Sequence, residues 1–193
     1  QLSAEHIHRV YQEGSPRFPQ VLEECLRTIM NEVGSLRRIS AEFSTYARIP
    51  TPCKEPADLF PLLAEIIRPY RAVMPPGINL EVDIPADLPA RDIDRSLFSR
   101  ALVNLIENAL QAMPRGGTLT YRARNEEHAV VIEVVDTGVG MDSSAMARLF
   151  TPYFSTKDTG TGLGMAIARK AIEEHGGDIE VVSAPGMGTT MRI

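Results

Sequence analysis

Four short blocks in the second half of the sequence carry residue types that could together hold a nucleotide. They span residues 104–108 (NLIEN), 136–140 (DTGVG), 154–157 (FSTK) and 160–164 (GTGLG). In this order they supply amide oxygens, a carboxylate, a lysine cation and a glycine-rich loop. Each block also has an ordinary structural explanation by itself, but their order and spacing predict one binding site for Mg-ATP.

The first block lies on a predicted helix over residues 94–113. The helical period puts Asn104, Asn108 and Gln111 on one face. Amide oxygens one turn apart suit Mg²⁺, which takes few protein ligands together with water and phosphate oxygens. We therefore predict Asn108 and Asn104 as metal ligands. The alternative is a polar stripe that faces solvent on an amphipathic helix.

Asp136 follows an apolar strand and is the predicted reader of the adenine base. A carboxylate at a strand end can accept a hydrogen bond from the exocyclic amine of adenine, with a water beside it. Gly138 and Gly140 would let the backbone approach the ring or adopt a positive φ. The alternative is a simple turn that ends the strand.

The third block would bring a cation to the phosphates. Lys157 carries its charge on a flexible stem, and Phe150, Tyr153 and Phe154 would pin the segment onto the domain. The long glycine-rich stretch 137–160 is the predicted lid over the nucleotide. The alternative is a surface lysine after a small aromatic cluster.

The fourth block leads directly into a helix, where amide N–H groups and the helix dipole favour a phosphate. Its Gly-x-Gly-x-Gly spacing is neither the dinucleotide fingerprint nor the P-loop. The predicted contacts in this block are Gly160, Thr161, Gly162, Leu163 and Gly164. Thr189, in the later stretch 186–190, either closes the adenine side or belongs to a hairpin turn.

These blocks need a scaffold, and the remaining sequence predicts two domains. Residues 1–50 contain the end of one helix, a break at Gly14 and Pro16, and a long helix over 19–48 with a wide apolar stripe. Such a stripe suits a helical hairpin that dimerises into a four-helix bundle. Prolines at 50, 52, 56 and 61 mark the change to a second domain over residues 51–193.

The second domain is predicted as an α+β fold, a two-layer sandwich in which helices cover one face of a mixed sheet. Its predicted elements are helices over 57–74, 94–113, 144–150 and 161–175, and strands over 78–84, 118–124, 129–135, 178–183 and 189–193. A doubly wound parallel sheet would instead need alternating strands and helices.

Composition narrows the classes of function. The net charge of −5 argues against a nucleic-acid surface, and apolar runs stay well short of the ~20 residues of a membrane span. The two cysteines lack the spacing of a metal site or a disulfide framework. We expect a cytoplasmic protein without membrane contact in these residues, and both ends of the sequence look like points inside a longer chain.

With the four blocks in place, residues 57–193 resemble the ATP-binding domain of bacterial sensor histidine kinases. This Bergerat-type (GHKL) fold is shared with DNA gyrase, heat-shock-90 and mismatch-repair ATPases. The first, second and fourth blocks resemble the N box, the first glycine box and the second glycine box, and residues 150–157 resemble the F box. Residues 18–48 resemble the second helix of the dimerisation and phosphotransfer hairpin. Residues 1–5 are similar to the segment just after the phosphoacceptor box in sensor kinases of the nitrogen-regulation NtrY type.

The resemblance implies a two-component kinase that binds ATP and Mg²⁺. It would transfer the γ-phosphate to a histidine and then to an aspartate of a response regulator receiver domain. It also implies a homodimer joined through the hairpin, and a full-length protein that is anchored in the inner membrane.

Two departures from the family pattern shape the prediction. His6 and His8 do not match the acceptor motif, so we expect both to be surface residues and the acceptor to precede Gln1. Asn104 stands where related ATPases carry a glutamate that activates water, so water attack should be slow. Glu107 is offset around the helix and is predicted as a surface carboxylate, with a role as base left open. We assign no catalytic residue, and we expect that this chain cannot phosphorylate itself.

Two other functions stay open at this point. One is an ATPase of the gyrase or heat-shock-90 type that gates a dimer. The other is a scaffold that binds nucleotide or a regulator without catalysis.

Overall fold

The computed structural model describes residues 2–14, 16–47, 52–127, 129–155 and 161–193. The chain divides into two compact units, Gln1–Ala47 and Arg48–Ile193. Within the described ranges, every helix is too short or too polar to cross a bilayer.

The first unit is a pair of helices in contact, α1 (Leu2–Gln12) and α2 (Phe18–Ala47). Val10 and Cys25 are buried, and the rings of Tyr11 and Phe18 meet at 5.4 Å beside the connecting turn. Part of the predicted apolar stripe of α2 faces solvent, because Met30 is 70% exposed. The two helices therefore cover only one side of that stripe.

The described residues of the second unit form a mixed five-stranded sheet, a separate pair of short strands and four helices, which confirms the predicted α+β class. The strands are β1 (Glu55–Ala57), β2 (Ile78–Asp83), β3 (Arg91–Ile93), β4 (Gly117–Asn125), β5 (Val130–Asp136), β6 (Glu180–Ser183) and β7 (Thr189–Arg192). The helices are α3 (Leu59–Ala72), α4 (Arg95–Gln111), α5 (Ser143–Arg148) and α6 (Gly164–Glu174). The sheet order is β2-β4-β5-β7-β6, in which β2 and β4 are parallel and the other neighbours antiparallel.

Strand β4 shows why the domain has two layers. Its residues alternate between the two faces of the sheet. Leu119, Tyr121 and Ala123 are buried in the same apolar core as the inward faces of α4 and α6. On the other face, Arg122 and Arg124 both bond to the carboxylate of Glu133. Burial raises the pKa of Glu133, but the two arginines outweigh it and hold that pKa below its usual value.

The structure corrects the predicted elements in three places. β1 and β3 form a separate antiparallel pair that was not predicted, because three residues are too few to show alternation. Helix α6 begins at Gly164 and not at Thr161. Helix α3 covers Leu59–Ala72 and not 57–74, because Ala57 belongs to β1.

Candidate functional site

The buried carboxylate of Asp136 ends β5, the middle strand of the sheet. Asp136 is 5% exposed and lies between Leu119 of β4 and Thr189 of β7 in the sheet register. Its Oδ1 accepts the N–H of Gly138 at 2.8 Å. The turn that follows the strand therefore orients this carboxylate, and the structure places two of the predicted site residues, Asp136 and Thr189, side by side.

Ser183, which the sequence did not single out, connects the turn after β5 with the last strand. Its hydroxyl donates to the carbonyl of Gly188 at 2.8 Å, so its oxygen accepts from the N–H of Met141 at 2.9 Å and from the hydroxyl of Thr189 at 3.0 Å. The half of the site around Asp136 is thus held by a side chain on an edge strand. A serine in a short strand carries no sequence signal for this role.

The two glycines of the Asp136 turn serve packing within the protein. A Cβ atom on Gly138 would lie 2.4 Å from the carbonyl oxygen of Ala112, and one on Gly140 would lie 1.9 Å from that of Ala184. Val139 between them donates to the Ala112 carbonyl at 3.0 Å. These contacts join the turn to the end of α4 and to the β6–β7 turn. Gly140 has a positive φ of 65°, which is one of the two roles that the sequence predicted for these glycines.

The bonds of the turn after β5 also restrain the first residues of the predicted lid. The stretch 137–160 begins with residues fixed to neighbouring elements, and Leu149 after α5 is buried in the core. The described part of the stretch is therefore anchored at both its start and its middle, and its role as a lid stays a prediction.

The polar face of α4 meets the start of α6. Asn104 donates from Nδ2 to the carbonyl of Gly164 at 3.0 Å, and the half-buried Asn108 lies one turn further along. The side-chain nitrogen of Asn104 donates to α6, and its side-chain oxygen is the atom that could bind a metal. This bond brings two separately predicted blocks together: the amides and the glycine loop.

The residues present fit a magnesium ion held mainly by its nucleotide. Among the described residues, no group of three His, Cys, Asp or Glu side chains is placed to hold a metal. Mg²⁺ commonly binds through one or two protein oxygens together with water and phosphate oxygens. Amide oxygens on α4 beside the first residue of α6 match that requirement.

The glycine loop is locked to the aromatic segment before it. Gly162 has φ +70°, and a Cβ atom there would lie 2.5 Å from the carbonyl carbon of Tyr153. Tyr153 donates its N–H to the Gly162 carbonyl at 3.1 Å and itself has a positive φ of 65°. A non-glycine residue in this conformation stores about 1–2 kcal/mol of strain, so the contact with Gly162 holds Tyr153 in place.

Two further residues of the loop, Thr161 and Leu163, bond to each other. Leu163 is fully buried, so its side chain belongs to the core and only its backbone could contact a nucleotide. Its N–H donates to the hydroxyl of Thr161 at 3.3 Å. Lys157 and Gly160 lie outside the described residues, and their roles stay predictions.

Phe150 anchors the segment onto the domain as predicted, whereas the ring contact of Phe154 lies within the segment. Phe150 packs against the core with the guanidinium of Arg169 5.1 Å from its ring centre. Phe154 is half-buried, and the guanidinium of Arg148 lies 4.2 Å from its ring centre. Tyr153, in contrast, is 61% exposed, so its ring does not pin the segment.

The residues that were predicted to lie on the surface do so where the structure describes them. Glu107 is exposed. Burial raises the pKa of the Tyr70 phenol on α3, and the charge of Glu107 raises it further. His8 is exposed beside Gln12, with Nε2 of each 3.0 Å apart. The side chain of His6 lies outside the described residues.

A family comparison covers the part of the chain that holds these groups. The family described as "Histidine kinase-, DNA gyrase B-, and HSP90-like ATPase" matches residues 93–193, just over half of the chain. The chain belongs to this ATPase family. The match begins immediately before α4 and runs through the Asp136 turn and the glycine loop, so the family assignment supports ATP binding at the site described above.

The chain's relatives include histidine kinases and a nitrogen regulation protein. It is 36% identical over 201 residues to nitrogen regulation protein NtrY of Azorhizobium caulinodans, a match that covers 100% of this chain and 26% of NtrY. It is 30% identical over 178 residues to the signal transduction histidine-protein kinase AtoS of Escherichia coli, covering 89% of this chain and 28% of AtoS. The chain therefore spans about a quarter of the length of these relatives.

A solved structure shows the same fold over nearly the whole chain. The histidine kinase ThkA in complex with the response regulator TrrA superimposes with a TM-score of 0.77 at 21% identity, covering 99% of this chain and 55% of that one.

Proposed function

We propose that this chain is the ATP-binding part of a sensor histidine kinase, which supplies the γ-phosphate of Mg-ATP to a histidine. The observation that carries this is the hydrogen bond from Asn104 to the Gly164 carbonyl. It joins the amide face of α4 to the first residue of α6, so groups suited to a metal and groups suited to phosphate meet at one place. The names of NtrY and AtoS support the choice of a kinase within the ATPase family.

Each proposed contact follows from the chemistry of the group. Asp136 accepts the exocyclic amine of adenine, and Thr189 lies beside it on β7. The oxygens of Asn108 and Asn104 face the metal. The proposed phosphate contacts are the backbone of Gly160, Thr161, Gly162, Leu163 and Gly164 and the ammonium of Lys157. In the Asp136 turn, Gly138 and Gly140 act by holding the carboxylate in place.

The start of α6 offers the phosphates a suitable environment. The first N–H groups of a helix have no partner within it, and they favour an anion at that end. The N-cap of α6 is Leu163, whose side chain cannot accept a hydrogen bond. When bound, Mg²⁺ would neutralise part of the phosphate charge. The residues of this chain then contribute position and electrostatics, which is most of what phosphoryl transfer needs from a protein.

The choice between a histidine and water as acceptor rests on α4. Its residue 104 is an amide that bonds to another helix, so the residue at that position cannot remove a proton from water. Glu107 is exposed. We therefore propose slow hydrolysis and transfer to a histidine other than His6 and His8.

We also propose the partners that such a kinase needs. The first unit would dimerise through the exposed apolar side of α2, and the receiver domain of a response regulator would take the phosphoryl group. ThkA, whose solved structure contains a response regulator, supports the second point. Because ATP and receiver domains are cytosolic, this part would work in the cytoplasm, with the whole protein anchored in the inner membrane.

The experiment that tests the function uses labelled ATP and an acceptor in trans. The chain is incubated with γ-³²P-ATP and Mg²⁺, alone and with a dimerisation hairpin of the NtrY type. We expect acid-labile label on the hairpin only. Label on this chain alone would contradict the exclusion of His6 and His8. Steady phosphate release that is lost in Glu107→Gln would indicate an ATPase, and failure to bind a non-hydrolysable ATP analogue would leave a scaffold.

A further inference from the structure

The imidazole of His175 joins the end of α6 to the start of α4. Its Nε2 lies 2.9 Å from the backbone nitrogen of Asp94, and its Nδ1 lies 2.6 Å from the carbonyl oxygen of Ala171. A carbonyl only accepts and a backbone N–H only donates. The ring is therefore neutral, with its proton on Nδ1 and the lone pair of Nε2 directed at Asp94.

Asp94 is the other half of this junction. Its Oδ1 caps α4 by accepting the N–H of Leu97 at 3.0 Å, and its Oδ2 accepts the N–H of Cys53 at 3.1 Å. The buried ring of Phe98 meets the imidazole edge-on, with ring centres 5.5 Å apart. Asp94 thus connects the start of α4, the end of α6 and the chain that leads into β1.

This junction is the second of two ties between the helices, and the first is the bond from Asn104 to Gly164. Ten residues separate Asp94 from Asn104 on α4, and eleven separate Gly164 from His175 on α6. At about 1.5 Å per residue these are segments of roughly 15 and 16 Å. Two ties this far apart add to the apolar packing of α4 and α6 in one core and restrain both the axial register and the tilt of one helix against the other. A single tie at the nucleotide end would restrain the tilt much less.

We infer that His175 is a positioning residue for the nucleotide site. It holds the far end of α6 against α4, so that Gly164 at the near end stays opposite the amides of α4. The inference rests on the proposed function for its effect on nucleotide, although His175 itself lies at the opposite end of the helix from the glycine loop. Loss of one such hydrogen-bonded tie should weaken binding of a Mg-ATP analogue about fivefold to tenfold.

The test uses three variants of the full chain. His175→Phe keeps an aromatic ring against Phe98 and removes both hydrogen bonds. His175→Gln can supply a donor and an acceptor again. Phe98→Leu is the matched control, because it leaves the hydrogen bonds and removes only the ring contact. For each variant, the Kd of Mg with a non-hydrolysable ATP analogue is measured by calorimetry, and the amide signals of Gly164 and Met165 are followed by NMR.

We expect His175→Phe to raise the Kd and to shift both amide signals. His175→Gln should restore much of the affinity and bring the amide signals most of the way back. Phe98→Leu should change the stability of the fold alone. Nitrogen-15 shifts of the imidazole in the unaltered chain should show the Nδ1–H tautomer. An unaltered Kd in His175→Phe, or an equal rise in Phe98→Leu, would overturn the inference. If the unaltered chain binds no nucleotide, the proposed function fails, while the amide shifts still decide whether His175 sets the position of α6.

Discussion

Replacing Asp136 with asparagine should change which base the site prefers. The oxygen of the new amide can still accept the N–H of Gly138, which Asp136 accepts at 2.8 Å, so the turn should persist. The other carboxylate oxygen becomes an NH₂ group. A donor then faces the exocyclic amine of adenine, which is also a donor, whereas inosine presents a carbonyl at the same place.

The magnitude follows from the burial of this carboxylate. Asp136 is 5% exposed, so the carboxylate proposed to face the base is shielded from water. A hydrogen bond to a charged group in such a place contributes about 1–3 kcal/mol. At about 1.4 kcal/mol for each factor of ten, ATP should bind roughly 5- to 150-fold more weakly to Asp136→Asn. Inosine triphosphate should bind more tightly than it does to the unaltered chain.

The assay is calorimetry with both nucleotides on both chains, in the presence of Mg²⁺. Asp142→Asn is the control, because Asp142 is an exposed helix cap in the same loop whose Oδ1 accepts the N–H of Ala145 at 2.7 Å. It makes the same chemical change away from the proposed base contact and should leave both affinities unaltered. Equal weakening of the two nucleotides by Asp136→Asn, or no change for ATP, would refute the assignment of Asp136 to adenine.

Three further predictions concern the packing, the metal and the open face of the sheet. Gly188→Ala should destabilise the fold by about 2 kcal/mol more than Gly186→Ala, as measured by urea unfolding. Both glycines have a φ near +75°, but only at Gly188 would the new Cβ meet a backbone atom, the carbonyl oxygen of Asp136 at 1.9 Å. Equal losses of stability in the two variants would contradict this packing. Asn108→Ala should abolish the gain in nucleotide affinity that Mg²⁺ provides and leave the affinity measured in EDTA unchanged, and a preserved gain would remove Asn108 from the metal site. The pKa of Glu133 is lower in the folded protein than in the unfolded chain. Its carboxylate therefore stabilises the fold above the unfolded pKa of about 4.3, and this contribution is lost as the pH falls through the folded pKa. Glu133→Gln should flatten this part of the curve of unfolding free energy against pH.

Much of the fold and of the site was predictable because the signals are local. The period of α4 and its cap at Asp94 appear within one stretch of sequence, as does the end of β5 at Asp136. The terminator of α6 is also local, since Gly176 and Gly177 close the helix through bonds to Glu173 and Ile172. Each of these depends on neighbours a few residues away, so periodicity, capping and turn chemistry are sufficient to place it.

Other features depend on contacts between distant residues. The sequence predicted that Gly138 and Gly140 let the backbone approach a ring or adopt a positive φ, and Gly140 does have a positive φ. Only the tertiary structure shows that the carbonyls of Ala112 and Ala184 lie where Cβ atoms on these glycines would be. Tyr153 was expected to pin its segment and is instead exposed.

What the sequence by itself determined is the set of chemical groups and the elements that carry them: amides on a helix, a carboxylate at a strand end and glycines before a helix. Only the tertiary structure decided that Asn104 bonds to Gly164 across 60 positions, and that His175 bonds to Asp94 across 81. The physical reason is that residue types and local periods specify each element, whereas the meeting of two elements depends on how the whole core packs.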